Sequence, residues 1–412
     1  MRKFLACVAI AALAVSGCRS DSSGAPNPPA GTPAPSPTPV PTPTATPTPP
    51  PTTFDGLART PAIVSDDSSL YGRRVFQGIA SVARTGSRIW AIWFGDTILH
   101  DTAGEGPGNF LILRYSDDFG LSWSNERYLV PPNRAQDRAF DPQLWAAPDG
   151  TLWIMYGQSG VAQKFDGQYG VWLSVVPDPL SAHPQILPGT RLTDGVPSVP
   201  FQIAGNWYMY ANYWRLPVVA LLPARAGRNL NRINVANRSL QYISKLPEGT
   251  GTTFDETTAI ELRNGAILAQ WRTISGVQQT RSRDGGFTWD TPGPFTAVVT
   301  DVSRHALQRT PSGRLMMVVN VGITSGQRTN LTILLSDDEG ETWPYRLVID
   351  NRRYVSYPDV TFDDAGNIYV IYDRERSTQI GTGAREIILA KISESSVLAG
   401  AGTAERRIVS KP

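Results

Sequence analysis

The sequence predicts an all-β chain folded as a six-bladed β-propeller. Three observations predict it. First, six segments pair a turn glycine with an apolar, aromatic-rich run: TGSRIWAIWFG at Gly86, DGTLWIMYG at Gly150, AGNWYMYANYW at Gly205, NGAILAQWR at Gly265, SGRLMMVVN at Gly313 and AGNIYVIYD at Gly366. Their spacing, about 50 to 65 residues, suits one four-stranded blade per segment. Second, the positions nine residues before these glycines are Gln77, Asp141, Val196, Glu256, Arg304 and Tyr357. Five of the six are polar, at the expected start of each innermost strand, and only a closed ring of blades gathers six such positions around one axis. Third, helical periodicity is nearly absent, strand-like runs dominate, and the chain carries 11 Trp and 14 Tyr.

From the N-terminus, residues 1–17 read as a secretion signal. Arg2 and Lys3 form a basic start, and the apolar run Phe4 to Val15 is too short to span a bilayer. The run ends Val15-Ser16-Gly17-Cys18, which resembles the lipobox of bacterial lipoproteins; Cys18 would then carry lipid and anchor the chain to a membrane. The other cysteine, Cys7, lies inside the signal, so no disulfide is expected after export. Residues 18–53 are dense in Pro, Thr, Ala and Ser, a composition that favours an extended polyproline II linker. At about 3 Å per residue, some thirty residues would reach ~90 Å. Residues 54–412 are expected to form the propeller, as a monomer in the cell envelope, on the outer membrane or cell surface. A formal net charge of +2 argues against a nucleic-acid partner. There is no Cys/His metal spacing and no phosphate-binding glycine motif, so neither metal nor cofactor is expected.

Within the propeller, Phe254 to Arg272 reads as a hairpin turning at Asn264-Gly265, because both residues tolerate positive φ. Its open end brings Glu256 beside Arg272. A second repeat, SDDFGLSW at Ser116, SRDGGFTW at Ser282 and SDDEGETW at Ser336, follows a strand each time. The Asp of such a turn accepts backbone N–H bonds, the Gly supplies positive φ, and the Trp packs between blades. These octapeptides are similar to the Asp-boxes of sialidase-like propellers, and the chain resembles that superfamily from about residue 60 to 400. AFDPQLW and SYPDV resemble a branch of uncharacterised bacterial sialidase-like proteins.

The resemblance implies a pocket where three arginines hold a sugar carboxylate, a Tyr assisted by a Glu acts as nucleophile, and an Asp serves as acid/base. Residue by residue, it implies Glu256 as the assisting acid, Arg272 and Arg328 as two of the arginines, and Tyr357 as the nucleophile. The acid/base belongs on the loop after the first hairpin, where Asp101 is the choice and Asp96 and Glu105 are rivals. The first arginine is missing: Gln77 stands in its place, with Arg74 three residues upstream. Asp141, Arg304, His305 and Asp359 are further expected substrate contacts at the same height. Trp93, Trp214 and Trp271 end second strands on that face and suit either sugar stacking or blade packing.

The chemistry is coherent on its own terms. A guanidinium fork donates two parallel bonds to a carboxylate. A neutral tyrosine does not repel an anionic sugar, and it needs a base for its proton. The expected function is an exported glycoside hydrolase acting on acidic glycan termini. A lyase acting on uronates, with Tyr357 or His305 as base, and a non-catalytic glycan-binding propeller are the alternatives. With Gln77 replacing an arginine, weak or absent cleavage of ordinary sialosides is expected, the preferred substrate being another acidic sugar, a uronic or ulosonic acid.

Overall fold

A computed structural model describes residues 64–66, 68–99, 105–106, 108–129, 138–159, 170–213, 227–249, 256–323 and 326–412. The signal, Cys18, the linker, Asp101 and Trp214 lie outside the described residues. Six antiparallel sheets follow one another along the chain, each built from consecutive strands. Their innermost strands are Phe76–Thr85, Arg138–Ala146, the broken pair Val196–Pro197 and Phe201–Ile203, then Thr257–Glu261, Ala306–Arg309 and Val355–Phe362. The break in the third blade falls at Pro197 and Pro200, which lack the N–H that a continuous ladder needs. In the first blade, Val64–Ser65 adds a fifth, outermost strand on Arg127–Leu129.

The core is a ring of six apolar seams, one per neighbouring pair of blades. Phe94, Leu111, Phe140 and Tyr156 fill the first seam, and Val82, Trp93, Tyr369 and Leu389 fill the one that closes the ring. Second strands are apolar on both faces because each is covered by a blade on either side; Arg88–Asp96 and Leu152–Ser159 are buried throughout. Trp93 and Trp271 are fully buried in this packing. Of the two roles their sequence positions allow, blade packing is the one they fill.

The octapeptide repeats form one hydrogen-bonded turn three times, between third and fourth strands. In the last, Asp338 accepts from Thr342 N at 2.8 Å and Thr342 Oγ1 at 2.5 Å, while Gly340 N donates to Ser336 Oγ at 2.8 Å. Trp343 packs edge-on against Phe295. These turns sit at the far end of the blades from the starts of the inner strands.

A second device acts at the near end. Two residues oppose one where the inner strand bulges between Phe140 and Gln143, between Ser356 and Asp359, and between Gly78 and Ser81. The first bulged residue has left-handed φ each time: Asp141 at 46°, Tyr357 at 56° and Ile79 at 57°. Such a bulge re-aims the side chain it carries. It also corrects the sequence register in the first blade. There the turn is shorter, with Thr85 paired to Arg88, whereas Ala146 pairs with Leu152 and Phe362 with Ile368 across five residues. The counterpart of Tyr357 is therefore Ile79, two residues beyond Gln77.

Candidate active site

Tyr357 is the centre of a cluster of arginines. The guanidinium carbons of Arg376, Arg328, Arg304 and Arg272 lie 4.5, 5.1, 5.2 and 5.9 Å from its ring centroid. They come from three blades, and Tyr357 itself is only 5 % exposed. The Arg272 Nη1 donates to Tyr357 Oη at 2.7 Å and lies 3.2 and 3.3 Å from the two Glu256 carboxylate oxygens. The predicted hairpin brings this about: Arg272 N donates to the Glu256 carbonyl at 3.2 Å, so acid and base share the open end. Glu256, Arg272, Arg328 and Tyr357, expected together from the sequence, are together in space.

Burial alone would raise the Glu256 carboxyl. Arg272, Arg304 and the bond to Tyr357 outweigh it, and the group lies below the usual carboxylate range. Burial raises the Tyr357 phenol, and the pull of Arg272 only partly offsets this. The pair is thus an ionised carboxylate bonded to a neutral phenol.

Gln77 is not part of this cluster. It is fully buried: its amide donates to the carbonyls of Arg385 and Ser410, and its oxygen accepts from Trp93 Nε1 at 3.0 Å. It belongs to the joint between the first and last blades, and the expectation that it meets substrate is corrected. Arg74 is also remote, paired with Glu126 at 3.0 Å. A guanidinium beside Tyr357 that the sequence reading did not single out belongs to Arg376, just after the second strand of the last blade. Arg376 donates to Ser356 Oγ at 2.7 Å and pairs with Asp373 at 3.2 Å. Asp373 in turn accepts from Ile79 N at 2.8 Å, across the ring closure.

The remaining acids differ sharply in how they are held. Asp359 accepts from Ser81 Oγ at 2.6 Å and from the Val82 and Val360 amides at 2.9 Å, so it is a structural tie. Asp96 accepts from Asn109 Nδ2 at 2.7 Å and Ile98 N at 2.8 Å; burial pushes it to about 7. Glu105 lies 3.5 Å from Arg138 and 3.7 Å from Arg376. Asp141 is different. It is 7 % exposed, has no side-chain hydrogen bond or ion pair among the described residues, and is pushed to about 7 by burial and by the neighbouring carboxylates Glu256 and Glu105, against the pull of Arg304 and Arg138. Arg304 anchors on the Ala80 carbonyl at 3.2 Å. His305 is buried beside it, and burial lowers its imidazole to about 4.

A family description, BNR repeat-like domain, matches residues 248–370, the segment that contributes Glu256, Arg272, Arg304, Arg328 and Tyr357. A search of curated proteins finds no match. Solved structures match over most of the chain. The Hadza microbial sialidase Hz136 superposes with TM-score 0.59 at 15 % identity, covering 79 % of this chain and 67 % of its own. The intramolecular trans-sialidase of Ruminococcus gnavus, solved with oseltamivir carboxylate, gives 0.58 at 12 % identity, covering 80 % and 96 %. The leech intramolecular trans-sialidase gives 0.60 at 12 % identity, covering 80 % and 70 %. At such identities the likeness concerns the fold. In its blade count and its three octapeptide turns the chain has the six-bladed propeller fold of these sialidases, and residues 248–370 carry the BNR repeat-like match.

Proposed function

We propose that the chain is a glycoside hydrolase that releases an acidic sugar from a glycan terminus through a covalent tyrosyl intermediate. The observation that carries this is Tyr357 Oη bonded at 2.7 Å to Arg272, beside the ionised Glu256, inside a crescent of four guanidiniums. Arg272, Arg328 and Arg376 hold the carboxylate of the sugar. Tyr357 Oη bonds to the anomeric carbon while its proton passes to Glu256. Asp141, protonated, gives its proton to the glycosidic oxygen as the C–O bond breaks. In the second step Asp141 takes a proton from water, whose oxygen attacks the anomeric carbon. Tyr357 leaves and recovers its proton from Glu256. Because Arg376 fills the place of the missing arginine, the reason for expecting weak sialoside cleavage no longer holds, and sialosides belong among the substrates to test. Exported, lipid-anchored through Cys18, the enzyme would act at the cell envelope.

The test is a panel of aryl glycosides of sialic, uronic and 3-deoxyulosonic acids, with a fluorinated analogue of whichever is cleaved. Release of the aryl group and a mass adduct on the Tyr357 peptide are expected. An unsaturated, ultraviolet-absorbing product without an adduct would move the assignment to a lyase. Binding without any product would make the chain a glycan-binding propeller.

A further inference from the structure

At the end of the axis away from Tyr357, the far ends of all six inner strands enclose a funnel of about 530 Å³, within the range of small-ligand sites, roughly 300–1,000 Å³. None of the residues assigned to the proposed chemistry lines it. One wall is aromatic. Trp145 is 6 % exposed and is held edge-on by Trp153 at 5.1 Å and by Trp207 at 4.9 Å, and Trp207 is itself partly exposed. Gln202 stands directly opposite Trp207 across the strand pair, so amide and indole emerge on the same face. Gln202 is exposed, and neither its amide nor the hydroxyls of Thr258 and Thr361, which line the same funnel, have a hydrogen-bond partner among the described residues. The charged groups of the lining are engaged already. Arg84 pairs with Asp364 at 2.7 Å, Arg309 pairs with Glu339 at 2.8 Å, and Glu261 accepts from Ala204 N at 2.9 Å.

We propose that this funnel is a second carbohydrate site, one that takes an uncharged pyranose unit of a glycan chain against the Trp207 indole. A pyranose has an apolar face of C–H bonds and a rim of hydroxyls. The face needs a flat, rigid, apolar surface, which an indole offers at low entropic cost. The hydroxyls need partners that donate and accept, which a primary amide and two threonine hydroxyls supply. Each inner strand ends its sheet, so its axial edge adds backbone N–H and C=O groups free of ladder partners. The same lining disfavours other ligands. An acidic sugar finds no unpaired guanidinium there and meets the Glu261 carboxylate. An aliphatic ligand covers the amide and hydroxyls without bonding to them. The two ends of the axis therefore select differently, for a carboxylate at the arginine cluster and for an uncharged ring at the funnel.

The experiment titrates the protein with uncharged tetrasaccharides of glucose, mannose, galactose and N-acetylglucosamine, with tetragalacturonate as the acidic counterpart. Calorimetry gives the affinities, and the indole N–H resonances of Trp145 and Trp207 report on the funnel directly. At least one uncharged tetrasaccharide should bind and shift both indole signals, which tetragalacturonate should leave unmoved. Trp207→Leu should weaken that binding tenfold or more and Gln202→Ala severalfold, while Arg328→Ala, at the other end of the axis, should leave it unchanged. Should Trp207→Leu fail to fold, the exposed Gln202→Ala and the wild-type indole shifts decide. The far-face site is overturned if no uncharged tetrasaccharide binds, if binding leaves the indole signals unmoved or survives both substitutions, or if Arg328→Ala abolishes it. Indole shifts produced by tetragalacturonate alone overturn the assignment of an uncharged ligand.

Discussion

Replacing Tyr357 by Phe removes one oxygen from the middle of the site and nothing else. The ring keeps its packing in the seam between the first two blades and its place among four guanidiniums. What disappears is the bond from Arg272 Nη1 at 2.7 Å and the bond to Glu256. Arg272 and Glu256 still hold each other at 3.2 Å, so neither is left as a lone buried charge. A hydrogen bond to a charged group contributes about 1.5–3 kcal/mol net, and here the ion pair retains much of it. The stability cost should be about 1–2 kcal/mol, a shift of a few degrees in Tm. The chemical cost is larger. Without a nucleophile the covalent route is closed, and loss of about a thousandfold or more in kcat is expected, ~4 kcal/mol in the barrier at 1.36 kcal/mol per decade. The assay is release of the aryl group from a cleaved acidic glycoside, alongside thermal unfolding of the same preparation. If the Phe variant keeps more than about a tenth of the wild-type kcat, Tyr357 does not attack the anomeric carbon.

Asp141→Asn tests the proton donor. Its carboxyl sits at about 7, so wild-type kcat should fall as pH rises through that value, and the Asn variant should lose the limb and fail most on poor leaving groups. The same shift sets a stability difference. A folded-state pKa raised from 3.8 contributes fully below that value and is lost as pH rises through about 7, so the Asn variant should match wild type near pH 4 and unfold at higher temperature at pH 8. Gln77→Arg should not create sialoside cleavage; it buries a cation near Arg385 and Arg74, and thermal melting should show a loss of several kcal/mol, on the scale of an uncompensated buried charge. Asp338→Ala removes the acceptor of the Thr342 bonds and should lower stability by about 1 kcal/mol with unchanged kinetics, since the turn lies far from Tyr357. Cys18→Ser should move the protein from the membrane to the soluble fraction; a wild type already soluble and unlipidated would refute the anchor.

The fold was legible because its signals are local and repeated. A turn glycine followed by an apolar run marks a hairpin wherever it stands, and six hairpins at one spacing leave few architectures. The Glu256–Arg272 pair was legible for the same reason: two ends of one hairpin must meet. Arg376 was not. It lies outside every strand, and what places it is the tie from Asp373 to Ile79, two residues far apart in sequence. Gln77 was misplaced because counting back from a glycine assumes equal turns, and the first blade has a shorter one. Asp141 was visible as a polar position at the right height. Its significance comes from its burial beside Glu256, Glu105 and Arg304, and those neighbours are contributed by other blades.

Among the described residues every blade is made of consecutive strands, and no strand is exchanged where the last blade meets the first. That joint is held by the Phe76–Ser377 bridge, by Asp373 on Ile79, by Asp359 on Ser81 and Val82, and by Gln77 N on the Arg376 carbonyl. Arg376 and Tyr357 flank these ties. As the chain emerges from its N-terminus, five blades carry Asp141, Glu256, Arg272 and Arg328 without a site to share. Only docking of the sixth blade onto the first assembles the arginines around a tyrosine. On the proposed mechanism, completion of the ring and onset of activity are one event, and a chain truncated before Val355 should be silent whatever else it has folded.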